Sequence, residues 1–370
     1  MRYYDITIGS NQPAGGGNFS SNSLLHYTSH PSGPYAPPTP GALNVELDIY
    51  QFKGHIIGAN SFIRIWGISP LDIGPASLFG GHPMVVQAGM GVGLPLANPS
   101  QAGLLVTGTA WQVFGNWQDV NLTLDIVAVL PTGVSPPTVP GLSPPIQNVV
   151  LHWPPNTQLS DAIKNALATA YPGYTVDINI SGNLKKSSDG SHFASSWVDL
   201  STQVHSDSIG IINNPDYYGV YITLEGTKFI VRDSGTGAAS GNATAATKQI
   251  LFQDMIGQPT WIKFNTIQFQ TVMRSDIDVG DVVALPRAQF TSTPGGFVQG
   301  ASSSSAFSDY RNASAFGGSF NVNNIHHVGN FRAPDGRQWC TVFEAVLIKA
   351  NPPPGVTYAP TDISQPAGTA

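Results

Sequence analysis

Leu43-Asn44-Val45-Glu46-Leu47-Asp48-Ile49-Tyr50 sets an aliphatic side chain at every second position, with polar or amphipathic residues between. Successive side chains of an extended strand point to opposite faces. This register therefore predicts a strand with one face in a core and the other open. Toward the C-terminus, a second strand is expected over Phe62–Ile68. A pair follows over Leu104–Phe114 and Val120–Leu130, joined by Gly115-Asn116-Trp117, with Val120, Leu122, Leu124 and Ile126 on one face. Toward the N-terminus, the chain reads as polar and turn-rich, bracketed by Gly15-Gly16-Gly17 and Pro37-Pro38-Thr39-Pro40-Gly41. Phe79–Pro99, rich in Gly and Pro, reads as a long loop.

Pro131–Pro145 holds six prolines and is the clearest linker, since such a run favours extended polyproline II. Beyond it the period changes. Thr157 is placed to cap a helix carrying Leu159, Ile163, Leu167 and Tyr171 on one face and stopped by Pro172-Gly173. Tyr174, Val176, Ile178 and Ile180 alternate as a strand, and Trp197, Leu200 and Val204 mark a second helix within Ala194–His205. Strand signals then return. Val220–Leu224 and Lys228–Arg232 form a hairpin around Glu225-Gly226, and further strands are expected within Thr260–Met273, Val282–Leu285, Gly318–Phe331 and Trp339–Lys349. Ser234–Thr247 and Thr293–Ser305 read as flexible loops.

Composition agrees with a mainly β chain of two or three domains. Its 370 residues include 40 glycines and 30 prolines, well above the usual combined share of about 12%. Charged residues make up 10%, against about 25% in an average soluble protein. Sixteen basic and twenty-two acidic residues give a net charge of −6 with no basic tract, which argues against a nucleic-acid-coating protein. The sparse charge predicts a surface partly buried in an assembly, because charged residues are depleted at interface cores. A hydrophobic share of 41% supplies a core. No apolar run is long enough for a membrane span, so no membrane insertion is expected. Met1-Arg2-Tyr3-Tyr4-Asp5 lacks the apolar stretch of a signal peptide. One cysteine excludes an internal disulfide framework.

Catalytic patterns are absent or incomplete. There is neither a G-x-S-x-G elbow nor a Walker A sequence. Gly89-Met90-Gly91-Val92-Gly93 is followed by Leu94-Pro95, an awkward start for a phosphate-binding helix, and is read as a flexible loop. His326-His327 would point to opposite faces of a strand, one packed and one exposed, which opposes a shared metal. Asp276, Asp278 and Asp281 fail the calcium-loop spacing. They read as a turn in which Gly280 takes the unusual backbone angle and Asp281 bonds locally. Glu46 with Asp48 shares a strand face and Glu225 sits in a turn, but nothing marks a glycosidase pair. Trp66, Trp111, Trp117, Trp261 and Trp339 lie in or beside strands and are read as core or interface residues rather than a sugar platform. Cys340 is read as an inert core residue. The reading is therefore non-enzymatic, with no catalytic residue, cofactor or metal.

The order of segments in the last third carries a resemblance. It comprises Ile256-Gly257-Gln258-Pro259-Thr260-Trp261, Met273-Arg274-Ser275-Asp276-Ile277, and Val279-Gly280-Asp281 running on to Pro286. Asn324-Ile325-His326-His327-Val328-Gly329-Asn330-Phe331-Arg332 and Gly336-Arg337-Gln338-Trp339-Cys340-Thr341-Val342 complete it. This order resembles the baseplate hub proteins of long-tailed, contractile bacteriophages of the Mu-like and other myophage types. It covers roughly residues 250–350, more loosely 157–205, and over the first 140 residues mainly the strand pattern. The positions that carry it are Gly257, Pro259, Trp261, Arg274, Asp278, Gly280, Asp281, Pro286, His327, Gly329, Phe331 and Trp339.

The resemblance implies two tail-tube-like β-barrel or sandwich domains plus a helix–strand–helix middle domain, a mainly β fold with a small α/β insertion. It divides the chain into a first β domain at 1–131, a linker at 132–148 and an inserted unit at 149–206. A segment at 207–255 would pack back onto the first domain, followed by a second β domain at 256–350 and a Pro-rich tail at 351–370. It further implies a homotrimer joining a six-fold tail tube to a three-fold central spike. The implied partners are a tail tube or distal tail protein, the spike, baseplate wedge proteins and the tape measure protein, with DNA as transient cargo. The place is the virion tail baseplate, assembled in the host bacterial cytoplasm. Two other classes stay open: a receptor- or carbohydrate-binding tail protein using exposed aromatics, and a tail-associated cell-wall hydrolase using a carboxylate pair.

Overall fold

The computed structural model describes residues 1–9, 24–52, 61–93, 98–118, 120–129, 148–213, 217, 219–225, 228–233, 247–263, 266–286, 316 and 318–350. Pro131–Pro145, residues 234–246, Thr293–Ser305 and the tail at 351–370 lie outside them.

The first block contains β1 (Arg2–Ile8), β2 (Leu25–Thr28), β3 (Asn44–Phe52), β4 (Ser61–Trp66), β5 (His82–Met90), β6 (Gly103–Gln118) and β7 (Asn121–Val129), with a short helix α1 (Pro70–Ile73). The inserted unit holds β8 (Val149–Leu151), α2 (Leu159–Ala170), β9 (Thr175–Asn179), β10 (His192–Ala194), α3 (Trp197–Ile212), β11 (Val220–Glu225) and β12 (Lys228–Asp233). The second block follows with β13 (Lys248–Gln249), β14 (Thr260–Lys263), β15 (Thr266–Val272), β16 (Val282–Ala284), β17 (Gly318–Asn330) and β18 (Trp339–Ala350). The chain is mainly β.

Among the described residues, the two blocks share one sheet of thirteen strands, in the order β14-β15-β18-β17-β3-β4-β7-β6-β5-β1-β2, with β16 also on β17 and β13 on β16. The join is β17. Its first part, Ser319–Asn321, pairs with β16, and its second part, Asn324–Asn330, pairs with β3, while β18 runs along its other side. Register shifts between Ser319 and Phe320 and between Val322 and Asn324 interrupt the ladder around the change of partner. Bulges of this kind bend a strand and raise its twist, which lets one strand serve both blocks.

Each block keeps its own core. Val45, Leu47, Ile49, Ile63, Ile65, Leu124 and Ile126 fill the first, together with Met273 and Trp339 from the second block. Ile267, Phe269, Phe320, Val322, Ile325 and Phe343 fill the second. The alternation of residues 43–50 is the cause: Val45, Leu47 and Ile49 are buried, while Glu46 and Tyr50 are half-buried and Asp48 is exposed.

Four readings change. The N-terminal stretch contains β1, which lies between β2 and β5; Tyr3, Tyr4, Ile6 and Ile8 are all buried, so no alternation announces it. The expected loop at 79–99 contains β5. Its Gly89 is a close-packing residue, since a Cβ there would lie 2.5 Å from Ala102 Cα. Gly115-Asn116-Trp117 belongs to β6, not to a turn: a Cβ on Gly115 would sit 3.0 Å from the Ile73 carbonyl oxygen, and Asn116 Nδ2 donates to Asp125 at 2.8 Å. The cap of α2 is Gln158, not Thr157, and it caps without a side-chain bond.

The segment after α3 also pairs differently from the arrangement implied by the resemblance. β11 and β12 form a three-stranded sheet with β9, β12 lying parallel to β9. Val220, Ile222, Phe229 and Val231 share the core of α2 and α3. Ser201 and Ser208 on α3 accept the backbone N–H groups of Ile222 and Val220, which ties that helix to β11. β13 pairs instead with β16 of the second block. Within 207–255, then, β11 and β12 complete the inserted unit, because their apolar faces find its core, and β13 joins the second block through β16.

Candidate functional site

Of the twelve positions singled out in the sequence, seven fall in three places. One group is the pin between blocks. Trp339, at the start of β18, is buried in the first core, and its indole Nε1 donates to the Gly89 carbonyl at 2.8 Å. Phe331 stands edge-on to Tyr4 at 4.9 Å and to Trp339 at 5.9 Å. Gly329 leaves room for this: a Cβ would approach Trp339 Cζ3 to 2.9 Å and Leu47 Cβ to 3.1 Å. Arg2 closes the same corner by donating to the carbonyls of Asn330 at 2.6 Å, Asp335 at 2.7 Å and, at a shorter distance, Ala333.

The second group is a buried ion network. Arg274 and Asp254 are 3% and 2% exposed. Arg274 donates to Asp254 at 3.0 Å and to both carboxylate oxygens of Asp276 at 2.7 Å. Gln101, from the first block, donates to the same Asp254 oxygen at 3.0 Å, and its own carbonyl accepts the Ser275 N–H at 2.8 Å. A buried ion pair needs its remaining hydrogen bonds satisfied, and here the satisfying groups come from across the junction.

The third group seats the inserted unit. Gly280 takes φ +96°, and a Cβ there would overlap the hydroxyl of Tyr221 on β11. Tyr221 is 3% exposed, and burial followed by the charge of Asp281 holds its phenol well above the usual range. Asp281 accepts the Asp278 N–H at 2.7 Å and pairs with Lys248 at 2.6 Å. Burial, then the neighbouring Asp281, raises the Asp278 carboxyl above its ordinary value.

The other motif positions stand apart. Gly257 takes φ +79° in a turn, Pro259 precedes β14, and Trp261 on that edge strand is 37% exposed and stacks on Phe316 at 5.8 Å. Pro286 follows β16 and is half-buried. His327 is buried, its Nδ1 sharing a hydrogen bond with Thr341 Oγ1 at 3.0 Å, and burial then the adjacent His326 bring its pKa down to about 3.

The opposite face of the sheet is half-exposed and runs across both blocks. Glu46, Arg64 and Asp125 stand opposite one another on β3, β4 and β7. Arg64 donates to both Asp125 oxygens at 2.7 and 2.8 Å, and its guanidinium lies 5.3 Å from the Phe62 ring and 5.5 Å from the Trp66 ring. The bond to Asp125 raises its pKa further. Next along, the Tyr50 and His326 rings stack at 3.9 Å, the Tyr50 and Phe52 rings lie parallel within 5°, and His326 Nε2 bonds Asp48. Phe52 stands opposite Asn324, which stands opposite Glu344. In β3, β4, β6, β7, β17 and residues 339–347, the acidic residues are Glu46, Asp48, Asp125 and Glu344, and Arg64 is the one arginine or lysine.

No protein-family model matches this chain, and no curated protein matches it by sequence. Solved structures are similar to it. The 43 kDa tail protein of prophage MuSo2 from Shewanella oneidensis has 7% identity and TM-score 0.46, over 94% of this chain and 97% of that one. The tail protein of Neisseria meningitidis MC58 has 10% identity and TM-score 0.42, over 93% and 96%. The E. coli c3393 protein, a component of the type VI secretion system, has 8% identity and TM-score 0.42, over 84% and 75%.

The candidate chemistry is placed as follows. His326 and His327 point to opposite faces. Glu46 and Asp48 share the open face. Cys340 is buried, accepts from Gln270 Nε2 at 2.7 Å, and burial raises its pKa. Among the described residues no group of three or more His, Cys, Asp or Glu is placed to hold a metal ion. Trp117 is 75% exposed at the end of β6. The junction residues missed in the sequence are Arg2, Gln101, Asp254 and Tyr221. Their partners lie far along the chain, and no local pattern marks them.

Proposed function

We propose that this chain is a structural subunit of a phage-type tail baseplate, the hub of its central ring. The observation that carries the reading is the single, largely antiparallel sheet, which passes from one cored block to the next through the pairing of β17 with β3. A subunit of this kind offers two joined β blocks. Three copies would present six blocks around one axis, which is the geometry required between a six-fold tube and a three-fold spike. Closing the sheet into a ring also covers edge strands that would otherwise aggregate.

In this reading the open face lines the channel. Four carboxylates against one arginine repel phosphate, so DNA passes without the charge neutralisation that binding requires. The tail tube or distal tail protein and the spike occupy the two ends of the ring. The wedge proteins lie outside it, the tape measure protein lies within it before DNA release, and assembly takes place in the host cytoplasm. The motif residues act as structural pins, not as catalysts.

The test is mass photometry of the purified full chain with negative-stain imaging, alone and with a co-expressed spike. Three-subunit rings with an open channel are expected. A monomer in both conditions, or a ring whose channel is strongly basic, would overturn the reading.

A further inference from the structure

The turn at Arg274–Asp281 is where the three parts of the chain meet. Its Ser275 N–H donates to the Gln101 carbonyl of the first block at 2.8 Å, and its Gly280 lies against the Tyr221 hydroxyl of the inserted unit. Its far end is fixed to β17. The Gly280 N–H donates to the Val322 carbonyl at 2.7 Å, the Val322 N–H to the Asp281 carbonyl at 2.9 Å, and Asn321 Nδ2 to the Gly280 carbonyl at 2.7 Å. Lys248 closes the turn by donating to the Asp276 carbonyl and to the Asp281 carboxylate at 2.6 Å. Asn321 is the last residue of β17 paired with β16, and Asn324 is the first paired with β3. The turn therefore holds β17 at the place where it passes from one block to the other.

The inserted unit meets this place from its own sheet and core. Among the described residues its core holds no side chain of either block, and its strands pair with neither. Val220 and Ile222 face that core, and their N–H groups donate to Ser208 and Ser201 of α3 at 2.8 and 3.1 Å, so β11 and α3 move together. Tyr221, between them, points the other way, onto a residue whose φ of +96° only glycine adopts readily.

We infer that Tyr221 is a lever on the joint between the blocks. With its ring on Gly280, the turn keeps the bonds to Asn321 and Val322 that fix the bend of β17, and Gly280, Asn321 and Val322 are all buried. Withdrawing the inserted unit takes the ring away. Water then competes for those bonds, and the freedom of glycine favours an open turn. β18 still pairs with β17 on both sides of the register shift, so the joint loosens without unfolding. A load applied to the inserted unit is thereby converted into a change of angle between the two blocks. The Arg274–Asp254–Gln101 network is built without the inserted unit and stays in place as the pivot.

The experiment is hydrogen–deuterium exchange on the full chain, read by mass spectrometry with the Gly280 and Val322 amides resolved by fragmentation. Tyr221→Ala should speed exchange at both about tenfold or more, while α3 and β4 keep the parent's rates. Phe193→Ala removes another ring of the inserted unit, 63% exposed on β10, and should leave both amides unchanged. Should Tyr221→Ala fail to fold, Tyr221→Leu replaces it, and the two amides should still exchange severalfold faster. Parent rates at Gly280 and Val322, an equal acceleration throughout α3, or an equal effect of Phe193→Ala would overturn the inference. The outcome is independent of the hub reading, since every group involved belongs to one chain.

Discussion

The indole N–H of Trp339 meets the carbonyl of Gly89 at 2.8 Å across 250 positions of sequence. It fastens the start of β18 to the far side of the first block's core. Trp339→Phe keeps a ring but orphans a buried carbonyl, so it should cost about 1–3 kcal/mol, and Trp339→Ala about 3–5 kcal/mol. Urea unfolding measures both. A Phe variant as stable as the parent would show that the bond adds nothing.

Arg274→Leu should cost about 3–5 kcal/mol, because Asp254 would keep a buried charge with Gln101 as its remaining donor. Pairing it with Asp254→Leu should recover part of the loss, since the stranded charge is then gone. A double variant less stable than the single would contradict this account.

Gly280→Ala meets two obstacles, the positive φ and the Tyr221 hydroxyl. The expected cost is about 2 kcal/mol or more. In a Tyr221→Ala background the steric part disappears and the backbone part remains, so Gly280→Ala should cost about 1 kcal/mol there. A thermodynamic cycle on melting curves separates the two. Equal costs in both backgrounds would mean the inserted unit is not seated at this point.

His327 makes stability pH-dependent in a set direction. Its pKa is near 3 when folded and about 6.5 when unfolded, so the unfolded chain binds the extra proton first. This contribution is complete above about pH 6.5 and is lost as pH falls toward 3. His327→Leu should flatten the fall in melting temperature across that window. An unchanged pH profile would assign the acid sensitivity to other groups.

Much of this was legible in the chain because strands with one open face write their burial as alternation. Residues 43–50 do so, and β3 lies where that pattern puts it; β7 is found as well, but Val120 stands exposed in the turn before it and Thr123 to Ile126 are all buried, so its expected one-faced pattern fails. β1 was hidden because it is buried on both faces. β5 and the end of β6 were hidden because Gly89 and Gly115, which look like turn residues, are there to let another backbone come close. The pairing of β9 with β12, across more than fifty residues, carries no local mark at all. The motif positions could be named from the order of short segments, but what they touch could not. Gln101, Asp254 and Tyr221 acquire their meaning from partners contributed by other blocks.

The join at β17 also governs how the protein is made. Asp48 on β3 waits for His326, 278 positions later, so the edge of the first block leaves the ribosome long before its neighbour exists. At about 5–20 residues per second, that edge stays bare for roughly 15–55 s. The first block must therefore survive translation as an open half-sheet. A nascent chain halted before β17 is a natural client for a chaperone, and the last fifty described residues close the molecule as they emerge.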